Sequence, residues 1–106
     1  MYYINNGMIQ KIELEYDPEK NQRNIVERGL PFDLAGLVLA DPNVVHEVDN
    51  RKDYGEPRLV AYGNAEGLRL RLCYTPRGEK IRVITLYQVH KKAWEKHYGK
   101  DDNKNS

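Results

Sequence analysis

Cysteine is all but missing from this chain. Cys73 stands alone among 106 residues, so no internal disulfide framework can form, and no Cys/His set falls at a zinc-binding spacing. Long apolar runs are missing as well: nothing approaches the ~20 residues needed to cross a bilayer, and mean hydropathy is −0.82. The N-terminus lacks the basic-then-apolar plan of a secretory signal, and the expected compartment is cytoplasmic, with no membrane partner. A glycine-rich phosphate loop is absent too, because Gly63 and Gly67 flank a hairpin signal and not a strand-to-helix turn. His46, Asp49 and Asp53 are the only near-clustered metal-ligand types, and they lack a second matching group; no metal and no other cofactor is expected. No internal repeat or second boundary is visible, and 12.4 kDa suits one domain, placed over residues 9–99.

What the chain does have is charge, unevenly spread. Residues 67–98 hold eight Lys or Arg against two Glu, a net +6, while the remainder holds nine basic against fourteen acidic residues, a net −5. A segregated positive field attracts phosphates and hints at nucleic-acid contact; a solvated strand and helix would also carry such residues.

Apolar periodicity orders the rest. Residues 1–8, rich in Asn and Tyr, show no period and read as an extension or a partner-contacting arm. Ile12, Leu14 and Tyr16 alternate with charged residues as in a half-buried strand. Asp17 suits an N-cap and Pro18 the first helical position, and Gly29 can close the helix in the left-handed conformation. A second, apolar helix starts at Pro31 and Asp33 and stops before Pro42. Residues 44–48 are a strand candidate and 49–57 a charged loop. Residues 58–62, 68–74 and 81–89 read as strands joined by turn clusters at 63–67 and 75–80, followed by a helix over 91–99 and a polar, disordered tail over 100–106. The expected fold is α+β: an antiparallel sheet with an N-terminal strand, two packed helices, a strand meander and a C-terminal helix, the helices kept off one sheet face.

In the strand over 68–74, Leu68, Leu70 and Leu72 point one way while Arg69 and Arg71 point the other, giving one apolar and one cationic face. Arg82 lies on the next strand and Arg77 on the hairpin between them. Guanidinium groups match phosphate geometry with paired donors. Exposed sheet-face arginines with no target are the alternative. Lys20 and Asn24 lie one helical turn apart and share a face, facing a ligand or only solvent. Glu56 and Arg58 form either part of a site or an ion pair at its edge. Trp94, at helical spacing from Tyr98, reads as a core anchor.

Several motifs occur in order: Asp17-Pro18-Glu19-Lys20, then Asn24, Arg28-Gly29, Phe32 and Asp41-Pro42; Asp53-Tyr54-Gly55-Glu56-x-Arg58 and Gly63; and Arg77 with Arg82-Val83-Ile84-Thr85. Together they resemble the BrnT-type toxins of bacterial type II toxin–antitoxin modules over residues 12–98. The resemblance implies a RelE-like fold and a small endoribonuclease that cuts cellular RNA and stalls translation. It also implies a cognate BrnA-like antitoxin encoded next door, whose own domain, and not the toxin, contacts operator DNA.

Metal-free RNA cleavage needs a base for the ribose 2′-hydroxyl, cations for the phosphorane and an acid for the leaving oxygen. The catalytic candidates are Arg77, Arg82, Lys20, His90 and Tyr87; the RNA-binding candidates are Arg69, Arg71, Arg58 and Asn24. Histidine is a residue type that can act as acid or base, but His90 also reads as an exposed residue opening the last helix. The chain departs from the family in two places. Thr85-Leu86-Tyr87 stands where the family usually has Ser-Ala-Arg, and Ala93 stands where a Glu is expected, with Glu95 nearby. Tyr87 can stack on a base, donate a proton or simply pack across strands. Its presence keeps open a second reading, a catalytically weakened RNA- or protein-binding module that retains its antitoxin surface.

Overall fold

The computed structural model describes the backbone of residues 2–5 and 8–99, with side chains from residue 12 to residue 99; the tail expected over 100–106 lies outside the described residues. Near the N-terminus, β1 (Tyr2–Asn5) and β2 (Met8–Lys11) pair antiparallel as a small sheet of their own, with Ile4 opposite Ile9. No alternation announced these strands. Backbone pairing and the strand preference of Tyr and Ile form them in place of a one-sided apolar pattern.

The main sheet has five strands in the order β3-β7-β6-β5-β4, drawn from β3 (Glu13–Glu15), β4 (Val45–Val48), β5 (Leu59–Ala65), β6 (Leu68–Arg77) and β7 (Lys80–Gln88). Between β3 and β4 lie α1 (Pro18–Arg28) and a 3₁₀ turn (Phe32–Leu34) that runs into α2 (Ala35–Ala40); α3 (Lys91–His97) follows β7. Two expectations are corrected here. The sheet is mixed, because β3 pairs parallel to β7, Glu15 beside Arg82; the chain rises through α1 and α2 before the meander, so β3 cannot return as a hairpin partner. The strands also run further than the turn clusters suggested, leaving only Glu66-Gly67 and Gly78-Glu79 as turns.

Local signals act as expected around α1. The Asp17 side chain accepts from Glu19 N at 2.9 Å, Pro18 opens the helix, and Gly29 closes it at φ 70°, a conformation that carries no Cβ penalty for glycine. The main core gathers Phe32, Ala35 and Val38 against Ala61, Leu70, Leu72, Val83 and Leu86. A second cluster, Val60, Tyr62 and Trp94, uses the alternate residues of β5 and so lies on the opposite face. Hence α3 covers part of the face expected to be free of helices. The carboxylate of Asp41, just after α2, ties these layers together: it accepts from Asn64 N at 2.7 Å on β5 and from the Tyr98 hydroxyl at 2.8 Å beyond α3.

Candidate functional site

On the face opposite α2, side chains fall into rows set by strand register. Thr75 on β6 faces Arg82 on β7, which faces Glu15 on β3; Arg58, just before β5, extends this row. Four residues further along β6, Tyr62, Arg71 and Tyr87 stand side by side on β5, β6 and β7. Arg69 follows, opposite Asn64. The cationic face expected of this meander is therefore formed, bounded by α3 on one flank and by the loop over 49–57 on the other.

That loop is held by a buried acid. Asp49 is 7% exposed, and its oxygens accept from Arg51 Nε at 2.9 Å and Nη2 at 3.0 Å and from the Tyr54 hydroxyl at 3.4 Å. The hydrogen bonds from Arg51 outweigh the cost of burial and hold the carboxyl down at about 2. Cys73 lies below it, Sγ 3.9 Å from Asp49 Oδ2. Burial, with Asp49 adding to it, pushes the thiol up, which makes it a poor nucleophile. Thr75 donates its hydroxyl to Pro57 O, which closes the loop onto β6.

The candidate residues fall into separate groups. Arg58 and Arg77 meet at Glu56, 3.8 Å and 3.5 Å from its oxygens, so the expected Glu56–Arg58 pair forms and takes in a second arginine. The guanidinium of Arg58 also lies 3.9 Å from the centre of the Tyr54 ring. Arg82 Nη1 is 3.6 Å from Glu15. Arg71 donates Nε to the Tyr62 hydroxyl at 3.2 Å, and its guanidinium carbon is 5.5 Å from the Tyr87 ring centre. Burial works against the charge on Arg71, but the Tyr62 hydrogen bond and the nearby Tyr87 phenol hold it in place. Tyr62 itself stacks on His97 at 4.5 Å, and His97 Nδ1 is 2.8 Å from Glu47. His90 is exposed at the start of α3 without a side-chain cap bond. Lys20 is exposed on α1, across the outer edge of β7.

Asn24 is 4% exposed, and its amide is spent on the fold. Nδ2 donates to Leu30 O at 2.8 Å and to Leu86 O at 3.0 Å, and Oδ1 accepts from Arg28 Nη1 at 2.7 Å. The helix face that it shares with Lys20 is turned to the edge of β7, where the Asn24 side chain is buried beneath a groove that exposed Lys20 also lines. The sequence marked Arg28 only as part of the Arg28-Gly29 motif and not as a site residue, yet its guanidinium lies 5.7 Å from the Tyr87 ring centre. Its spacing of four residues from Asn24 was the available signal. Arg51 and Asp49 had none, since nothing in a charged loop marks which acid is buried.

Among the described residues, no group of three or more His, Cys, Asp or Glu is placed to hold a metal ion, and no helix is long and apolar enough to cross a membrane. The sheet face can offer a phosphate chain several guanidinium groups and an aromatic platform. A search of curated proteins returned no match. Residues 16–93 match the family model described as ribonuclease toxin, BrnT, of type II toxin-antitoxin system, and the chain, matched over most of its length, belongs to that family.

Proposed function

We propose that this toxin is a metal-independent endoribonuclease of RelE-like type that cuts cellular RNA on its cationic sheet face and so halts translation. The single observation that carries the reading is that Arg58, just before β5, Arg71 on β6 and Arg82 on β7 share one face of the sheet, which sets cations along a rigid support. In the reaction, the ribose 2′-hydroxyl loses its proton and attacks the adjacent phosphorus. The bond to the 5′-oxygen breaks, that oxygen takes up a proton, and the products are a 2′,3′-cyclic phosphate and a 5′-hydroxyl. Arg77 and Arg82 stabilise the negative charge on the phosphorane, Arg69 and Arg58 hold flanking phosphates, and Tyr87, His90 and Lys20 are the groups available to move protons.

As a member of a type II system the toxin has a cognate antitoxin. The antitoxin is BrnA-like, encoded adjacently, and neutralises the toxin by covering the cationic face; any operator contact is made by the antitoxin.

The test is cleavage by the pure protein of a defined RNA. Activity should persist in excess EDTA, vanish when the ribose at the cut is 2′-deoxy, and fall at least about a hundredfold in Arg82→Ala. Arg82 shares only a half-exposed ion pair with Glu15, worth under about 1 kcal/mol, so the melting temperature should hardly move. A Mg²⁺ requirement, or cutting of the deoxy strand, would sink this mechanism. The alternative, a catalytically weakened binding module, draws on one specific observation: Arg58, Arg77 and Arg82 each already have a carboxylate neighbour. It is the better reading if the protein cuts nothing while still binding its antitoxin.

A further inference from the structure

The arginines on and around the cationic face are not alike. Arg51, Arg58, Arg77 and Arg82 each lie within ion-pair distance of Asp49, Glu56 or Glu15. Arg28 and Arg71 do not. Among the described residues no carboxylate pairs with either, and each is aimed by neutral groups: Arg28 by Asn24 Oδ1 at 2.7 Å, Arg71 by the Tyr62 hydroxyl at 3.2 Å. Both guanidinium groups lie over the same Tyr87 ring, at 5.7 Å and 5.5 Å from its centre, Arg71 arriving from β6 and Arg28 from α1. Two cations directed to one phenol, neither in ion-pair contact with a carboxylate, leave their donors open to an anion that reaches both.

The shape of the surface agrees. Two open grooves run beside the outer edge of β7. One, of about 420 Å³, is lined by Arg28, Leu30, Tyr87 and Gln88. The other, of about 310 Å³, runs from Lys20 and Arg23 along α1 to Thr85. Arg28 alone lines both. The second groove carries Lys20, Arg23 and Arg28 against Glu27 only, so it suits an extended polyanion passing from one groove to the other over Arg28. Asn24 keeps the guanidinium in place because both of its own amide hydrogens are fixed by backbone carbonyls, which leaves its oxygen facing Arg28.

We propose that Arg28 and Arg71, converging on the Tyr87 ring from either side of β7, form a two-guanidinium clamp for an RNA phosphate, and that the strand continues along α1 past Arg23 and Lys20. The clamp rests on the ribonuclease reading and assigns to that site a binding residue from outside the sheet. Arg28 supplies from α1 a cation that β7 does not carry at Tyr87.

The experiment is fluorescence anisotropy of a labelled single-stranded RNA with 2′-O-methyl riboses, which the protein can bind but not cut, titrated with the full-length toxin over a range of salt. Arg28→Ala should weaken binding about tenfold. It should also reduce the slope of log affinity against log salt by about 0.7, the loss of one phosphate contact on a single strand. Arg28→Gln, which keeps a donor for Asn24 Oδ1 but no charge, should show the same loss of slope with an unchanged melting temperature. Lys96→Ala removes an equal charge from α3 and should leave affinity within about twofold and the slope intact. If the unaltered toxin binds RNA and both Arg28 variants bind with the same affinity and slope, the clamp is overturned and the ribonuclease reading stands. If the unaltered toxin binds no RNA, both are overturned.

Discussion

Gly63 shows how one missing side chain sets the distance between two layers. A Cβ at this position of β5 would sit 2.5 Å from Val38 O, 2.9 Å from Val38 Cγ1 and 3.1 Å from Val38 C, and two of these atoms are backbone. The helix cannot yield without moving as a whole. Gly63→Ala is therefore expected to destabilise the fold by about 3 kcal/mol through overpacking, read as a lower urea midpoint with an unchanged slope. Residues of this kind were only half legible in the sequence. Gly63 and Asn24 stood out as motif members, yet their tasks depend on Val38 and Leu86, far away in the chain, and no local pattern names such a partner. Arg71 and Tyr87 were singled out in the sequence for different reasons: strand alternation put the first on the polar face, and a departure from the family's Ser-Ala-Arg drew attention to the second. Arg28 was not, because its value comes from the crossing of a helix over a strand edge.

At the scale of elements, the meander was the readable part. Alternating Leu and Arg in β6, flanked by turn formers, define a strand with two unlike faces whatever lies around it. The parallel pairing of β3 and the seat of α3 are topological, and three residues of strand or seven of helix carry too little pattern to reveal them. The seat of α3 has a clear energetic centre. Trp94 is fully buried, packed on Val60 and Tyr62 and stacked on Tyr98 at 4.1 Å. Trp94→Ala should cost about 3–5 kcal/mol and release α3 first. Hydrogen exchange should then show amides over 94–99 losing protection while those of β6 and β7 keep theirs at moderate denaturant. Equal loss throughout would mean that α3 and the sheet unfold as one unit. The irregularity between Cys73 and Tyr74 matters at this scale too, since it shifts the β7 register between Arg82 and Tyr87 and separates the two arginine groups.

For the molecule as a whole, acid stability turns on how tightly its carboxylates are held. Asp49 has its proton affinity lowered from 3.8 to about 2 by Arg51. The unfolded chain thus takes up a proton near pH 4, while the folded chain resists until about pH 2. The contribution of Asp49 is complete above about pH 4 and disappears as pH falls through the window from 3.8 to 2. Urea unfolding across that window should show stability dropping with pH, and Asp49→Asn should flatten the drop; an unchanged profile in that variant would place the acid sensitivity elsewhere.

The outer edge of β7 leads beyond the single molecule. Strand β3 covers only Lys80 to Arg82, so the rest of β7 has no strand beside it on that side among the described residues. A bare edge of this kind is a template on which another chain can add a strand. Here the carbonyl of Leu86, in the middle of that stretch, is already occupied by the Asn24 amide, and α1 stands in front of it. A helix side chain thus does the work of a neighbouring strand in keeping copies of the protein from joining edge to edge. The amide that holds Arg28 over Tyr87 also guards against self-association, so losing it would be felt first as a solubility defect at the concentrations where chains meet.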